Sequence, residues 1–157
     1  MADENSTDTI TQTISDLVGA MGIDATIEME DSITKGLVFN INTYDSYMLI
    51  GRQGSHLHAL QILSHAMVAR KLSGTTFPEF MIDVDDYKRK REWLLKETAK
   101  GAVEKARRTG TPVSLEPMPN FERKLIHSYL QEHFPEVTSD SVGFEPRRKI
   151  VIRISRP

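Results

Sequence analysis

Apolar positions along the chain change period several times, and each change marks a new element. Ile10, Ile14, Leu17 and Val18 recur at helical spacing, and Gly19 and Gly22 supply a stop, so a helix of about ten residues is predicted from Ile10 onward. The residues before it, 1–9, are polar and acidic with no apolar face, and are expected to form a disordered tail. The period then drops to two. Ala25, Ile27 and Met29, followed by Leu37, Phe39 and Ile41, read as the two strands of a hairpin, with Asp31-Ser32 and Lys35-Gly36 between them. A short helical stretch near 45–50, the loop Gly51-Arg52-Gln53-Gly54 and a long apolar-faced helix over 55–72 come next, closed by Ser73-Gly74. Residues 79–84 supply a third strand. The order helix, strand, strand, helix, helix, strand over residues 10–84 makes one small α+β layer with a three-stranded sheet.

A second regime begins at Tyr87. Residues 87–109 are rich in Lys, Arg, Glu and Ala and end in Thr109-Gly110-Thr111-Pro112, which predicts one long helix with a Gly-then-Pro stop. Asp85 or Asp86 is placed to cap its free amides, and capping accounts for the acidic cluster Asp83, Asp85 and Asp86 better than metal binding does. Residues 113–115 form a short strand candidate. Pro119-Asn120 opens a further helix, with Asn120 as the expected cap, that runs to about His133 and is ended by Pro135. Residues 137–145 and 149–155 flank Pro146-Arg147, where Pro suits the second position of a turn, and Ile150, Ile152 and Ile154 alternate, so a C-terminal hairpin is expected. The fold class is therefore α+β, in two small domains: a tail at 1–9, a first domain at 10–84, and a second at 85–157 that includes the connecting helix 87–109. A chain of 157 residues is long enough for two such units.

Composition narrows the function classes. No apolar run approaches the ~18 residues of a membrane span, and the start MADENSTDT lacks the basic and apolar regions of a secretory signal, so a cytoplasmic protein with no membrane partner is expected. The absence of cysteine excludes disulfides, thiolate nucleophiles and cysteine-ligated metals. The net charge of −2 conceals a strong asymmetry. Residues 1–50 carry nine acidic residues and one basic, whereas the remainder carries nineteen basic and thirteen acidic. That uneven split points to a polyanion partner, against the alternative of solvated helix faces.

Two motifs decide between these. In Gly51-Arg52-Gln53-Gly54 the absence of side chains at both ends lets backbone amides approach a phosphate, the helix opening at Ser55 adds partial positive charge, and Arg52 adds a full one. Ile50 before the turn and Leu57, Leu60, Gln61 and Leu63 after it, with the flanking strands, resemble a KH domain in its bacterial arrangement. That resemblance implies a loop that clamps the backbone of about four unpaired nucleotides, with Gly51, Arg52, Gln53, Gly54 and Ser55 as the contact residues. His56 and His58 follow the loop and are assigned no role. Their spacing with His65 is not that of a zinc site, so no metal and no cofactor are expected.

The second motif is Arg123 and His127, whose four-residue spacing places both on one face of a helix. Leu125, Ile126, Tyr129 and Leu130 define the buried side, so the Arg and His are expected toward solvent and available to a ligand. Leu115-Glu116-Pro117-Met118, the run from Asn120 to His127, Gly143-Phe144-Glu145-Pro146-Arg147-Arg148 and Ile150-Val151-Ile152 together resemble an R-three-H domain. With Arg123 and His127, the basic residues Lys124, Arg147, Arg148, Lys149 and Arg153 are the expected contacts of an unpaired strand.

Tyr87-Lys88-Arg89-Lys90-Arg91 and the order of the two domains resemble the bacterial Jag family, the SpoIIIJ-associated RNA-binding proteins, over residues 10–157. The resemblance implies a non-catalytic protein that binds single-stranded RNA, takes no small-molecule substrate, and acts as an RNA chaperone or post-transcriptional regulator linked to cell elongation and division. It also implies a small separate KH protein as partner, or a homodimer. Many members carry an additional N-terminal domain and linker that this chain is expected to lack. Three other readings stand beside it. Single-stranded DNA presents the same stacking and phosphate chemistry; a KH-mediated protein-interaction scaffold needs no RNA; and a nuclease would require His127 and Asp83, Asp85 and Asp86 to converge on one phosphate.

Overall fold

Helix α1 (Glu4–Ala20) begins well before Ile10 and takes in most of the expected tail. A computed structural model describes residues 4–32 and 36–155, so residues 1–3 of that tail lie outside the described residues. The physical reason for the longer helix is polar. The Thr7, Thr9, Thr11 and Thr13 hydroxyls donate to carbonyls three or four residues back, and Ser6 is buried, so side chains that carry no apolar signal still fit the helix.

Ile10, Ile14 and Val18 of α1 pack against a sheet of β1 (Thr26–Ser32), β2 (Gly36–Asn42) and β3 (Phe80–Val84). The sheet order is β1-β2-β3. β1 and β2 run antiparallel, as a hairpin requires, with Met29 opposite Phe39; the residues between them, 33–35, lie outside the described residues. β2 and β3 run parallel, with Phe39 opposite Ile82, and parallel neighbours need a long crossover. It consists of α2 (Ser46–Ile50), a single 3-10 turn (Arg52–Gly54) and α3 (Ser55–Lys71). Leu37, Phe39 and Ile41 on β2 and Phe80, Ile82 and Val84 on β3 point to one face, where Leu49, Leu57, Leu60 and Val68 complete the core. Each such side chain contributes roughly 1.5–3 kcal/mol when fully buried.

β3 is an edge of this sheet, and α3 satisfies part of that edge. Gln61 Nε2 donates to the Phe80 carbonyl at 2.9 Å, and its Oε1 accepts from the Ile82 amide at 2.6 Å. His65 also donates from Nε2 to the Phe80 carbonyl at 2.9 Å and stacks on the Phe80 ring at 4.0 Å between centroids.

The chain divides into two compact units, Met1–Lys88 and Arg89–Pro157. The division falls in the first turn of α4 (Tyr87–Thr109), whose expected extent is reproduced. Its cap differs from the expectation. Asp83, rather than Asp85 or Asp86, accepts from the Lys88 amide through Oδ1 at 3.2 Å and also takes the Val84 amide at 2.8 Å. Asp85 and Asp86 instead form the turn itself, at φ of 48° and 57°, a region that Asp tolerates better than most residues.

In the second unit Leu95, Ala99, Ala102 and Val103 of α4 meet Ile126 and Leu130 of α5 (Asn120–His133). Beneath them lies an antiparallel sheet of β4 (Val113–Ser114), β5 (Val137–Val142) and β6 (Lys149–Ile154), in the order β4-β6-β5. Ile150 and Ile152 turn toward the helices. Asn120 is the first residue of α5 rather than its cap, a position taken by Pro119. Between β5 and β6, the Arg147 amide donates to the Phe144 carbonyl at 2.9 Å, which places Pro146 third in the turn rather than second, after a cis peptide.

Candidate nucleic-acid interface

The glycine turn of the first unit is built by steric exclusion. Gly51 ends α2 at φ 69°, its amide donating to the Tyr47 carbonyl at 3.0 Å, and Gly54 sits at φ 78° immediately before α3. A Cβ at Gly51 would lie 2.4 Å from the His56 ring, and one at Gly54 would lie 2.9 Å from the Tyr87 ring. Positive φ and close approach therefore both require glycine at these two positions. His56 is held over the turn because its Nδ1 donates to the Met48 carbonyl at 2.7 Å, so its ring supports the loop. Arg52 and Ser55 are exposed, Gln53 is half-buried at φ 53°, and Gly54 is buried. The result is one tight feature in which a guanidinium stands at the positive end of a seventeen-residue helix.

In the second unit, Arg123 is not on the surface, contrary to the expectation from its spacing. Its side chain is 4 % exposed, with Nη1 donating to the Met118 carbonyl at 2.7 Å and Nη2 to Glu145 Oε1 at 2.6 Å and Asn120 Oδ1 at 3.3 Å. Its Nε is buried without a hydrogen-bond partner among the described residues. The guanidinium thus clasps the start of α5 to the β5–β6 turn. The Met118 amide donates to the Arg148 carbonyl at 3.2 Å, a second tie between the same segments.

His127 is half-buried against β5. Its Nδ1 lies 2.7 Å from Ser139 Oγ and its Nε2 2.9 Å from Ser141 Oγ. A neutral imidazole fits this arrangement, since one ring nitrogen donates, the other accepts, and each serine hydroxyl takes the complementary role. Burial pushes the His127 pKa below its ordinary 6.5; Asp140 opposes that shift and Arg123 adds to it. His127 is therefore better described as a neutral hydrogen-bonding group than as a cation for phosphate.

The remaining basic residues do not share one face. Lys124 is exposed on α5 and Arg147 in the turn, while Arg148 is half-buried. Strand alternation puts Lys149 and Arg153 on the face of β6 opposite to Ile150 and Ile152, away from the helices. Arg153 is paired with Asp140 at 2.5 Å, an exposed contact of small energetic weight.

Two features escaped the motif reading. Phe121 and Phe144 are exposed, by 59 % and 90 %. They lie within two residues of Arg123 and Glu145 in the sequence. Arg91, part of the basic run at the start of α4, makes a bidentate pair with buried Glu122, Nε to Oε1 at 2.8 Å and Nη2 to Oε2 at 3.0 Å. Asn-Phe-Glu-Arg at the start of α5 contains Phe121, Glu122 and Arg123, but only the fold reveals which face inward.

A protein-family model described as the R-three-H domain matches residues 94–153, which fall in the second unit. That unit is an R-three-H domain. Over most of its length the chain is also similar to proteins named RNA-binding protein KhpB. The Lactiplantibacillus plantarum protein is 35 % identical over 140 residues, 89 % of this chain, and that of Clostridium symbiosum 34 % over 136 residues, 87 % of this chain. The Bacillus subtilis protein is 27 % identical over 146 residues, 92 % of this chain and 67 % of its own. The similarity to these KhpB proteins extends over about nine tenths of the chain, in keeping with the Jag-like order of its motifs. The chain spans 42 % and 60 % of the lengths of the first two relatives.

Proposed function

We propose that this chain binds single-stranded RNA without chemical conversion, its first unit acting as a KH domain. One observation carries the reading: the turn at 51–54 confines two left-handed glycines under His56 and Tyr87, leaves Arg52 exposed, and opens directly into α3. Backbone phosphate is the ligand that this combination of a helix N-terminus and one exposed cation suits. The R-three-H unit contributes exposed Lys124 and Arg147 for phosphates and the Phe121 and Phe144 rings for bases, while Arg123 and His127 hold the elements of the unit together. The names of the relatives and the family model agree with an RNA ligand. A nuclease is disfavoured by Asp83, whose carboxylate is taken up by the Val84 and Lys88 amides. A role as an RNA chaperone or regulator in elongation and division follows from the family resemblance, and a cytoplasmic location from the signal-free start MADENSTDT. Among the described residues no helix is long and apolar enough to cross a membrane.

Changing Arg52 and Gln53 together to Asp tests the clamp. The double variant removes one cation and adds two anions beside the α3 amides, and Asp accepts the backbone of Gln53. Fluorescence anisotropy with a short unpaired RNA should show a loss of at least about ten-fold, with circular dichroism as in the parent and a cooperative thermal melt; a change at an exposed position such as Arg52 shifts stability by only about 0.5 kcal/mol. Parental affinity would reduce the glycine loop to a turn. Competition by single-stranded DNA of the same sequence decides whether a 2′-hydroxyl is read.

A second reading, KH-mediated protein association, is favoured by the exposed side of α3, where Ala59, Ile62, Leu63 and Ala66 recur at helical spacing. Light scattering of the chain with and without RNA separates an assembly through this stripe from a monomeric RNA binder.

A further inference from the structure

Trp93 is the sole tryptophan of the chain and is 64 % exposed on α4. At 100° per residue, it projects from the side of the helix opposite to Leu95, Ala99, Ala102 and Val103, which form the buried stripe. Arg89 lies one turn before it, with Lys90 beside that, and Lys100 two turns after it; all three are exposed, as are the acidic residues between them, Glu97 and Glu92, the latter paired with Lys96. Leu94 is exposed next to the indole. Neither helix formation nor the core of the second unit uses this indole, and a large apolar ring held in solvent is normally disfavoured. From this placement we infer that Trp93 is a stacking platform for an unpaired base, with Arg89, Lys90 and Lys100 receiving the neighbouring phosphates.

The charge around the ring selects among occupants. An apolar protein surface would match Trp93 and Leu94 but would have to desolvate three cations. An unpaired strand offers what the face presents in alternation: a flat π-surface for the indole and phosphates for the cations. Glu97 on the same face opposes phosphate and limits the number of nucleotides that can lie along the helix. The platform uses none of the residues of the glycine turn or of the Arg123 clasp. It rests on the reading of the chain as an RNA binder and extends the contact region to α4.

Because the indole is unique, its emission reports on one position. The full chain is titrated with unlabelled oligouridylate while tryptophan fluorescence is read, and in parallel with the same oligonucleotide dye-labelled while anisotropy is read. Quenching that saturates together with the anisotropy is expected. Trp93→Ala should weaken binding roughly five-fold or more, since base–aromatic stacking is worth about 1–3 kcal/mol per base. Trp93→Phe, which keeps a ring, should restore most of that loss. A saturating anisotropy change with unaltered tryptophan emission, or a Trp93→Ala protein of parental affinity, overturns the platform and leaves RNA binding standing. No anisotropy change with oligouridylate or with mixed-sequence unpaired RNA overturns the RNA reading and the platform with it. An emission change that appears without RNA as protein concentration rises assigns the face to self-association and likewise overturns it.

Discussion

Arg123 and Lys124 are adjacent on α5 and are expected to behave in opposite ways when mutated. Arg123→Ala deletes donors to Met118 and Glu145 and leaves a buried carbonyl unmet, so stability should fall by about 2–4 kcal/mol in denaturant unfolding. Lys124→Ala removes an exposed cation, so stability should change by no more than about 0.5 kcal/mol, while the salt slope for unpaired RNA drops by roughly 0.7. Equal effects of the two on stability would contradict the clasp. His127 adds a pH dependence. Its pKa is lowered in the folded state, so the unfolded chain takes up the proton first as pH falls. Its contribution is fully present above pH 6.5, the ordinary value, and is lost as pH drops through the folded value. Melting temperatures should therefore fall from pH 7.5 to pH values of about 5.5, and His127→Gln should remove part of that slope; identical slopes would exclude the assignment. The spacing of Arg123 and His127 correctly put them on one helical face. It could not disclose that Glu145, from a turn remote in sequence, closes over the guanidinium, because that burial is a tertiary contact.

Elements with strong local signals were legible at their boundaries. The extents of α4, with its charged composition and Gly-Pro stop, and of α5 match the reading of the chain, as does the alternation in β2 and β6. Ends set by polar side chains were not legible. The start of α1 depends on threonine hydroxyls and buried Ser6, and the cap of α4 on Asp83, which apolar spacing does not register. The charge-rich start of α4 looked like a uniform basic run, yet Arg91 is committed to Glu122. One consequence concerns truncation. Removal of residues 1–9 deletes the first turns of α1 together with Ser6, and should lower stability by about 1 kcal/mol, seen as a lower melting temperature. An unchanged melt would return this stretch to the status of a tail without structural weight.

For the whole molecule, the acidic first third and the basic remainder explain how a chain of net charge −2 can suit a polyanion. Each unit presents candidate contact surface of its own: the glycine turn in the first, and exposed Lys124, Arg147, Phe121 and Phe144 in the second. Two such surfaces on one chain raise the effective concentration of the second contact once the first is made, so one strand long enough to reach both should bind more tightly than two short ones. The most direct test is an anisotropy titration of the full chain with labelled unpaired RNA, and with the same strand annealed to its complement, over a series of salt concentrations. The account predicts preference for the unpaired strand and a linear fall of log affinity with log salt, by about 0.7 for each phosphate neutralised. Equal binding to the duplex, or affinity that does not respond to salt, would contradict it.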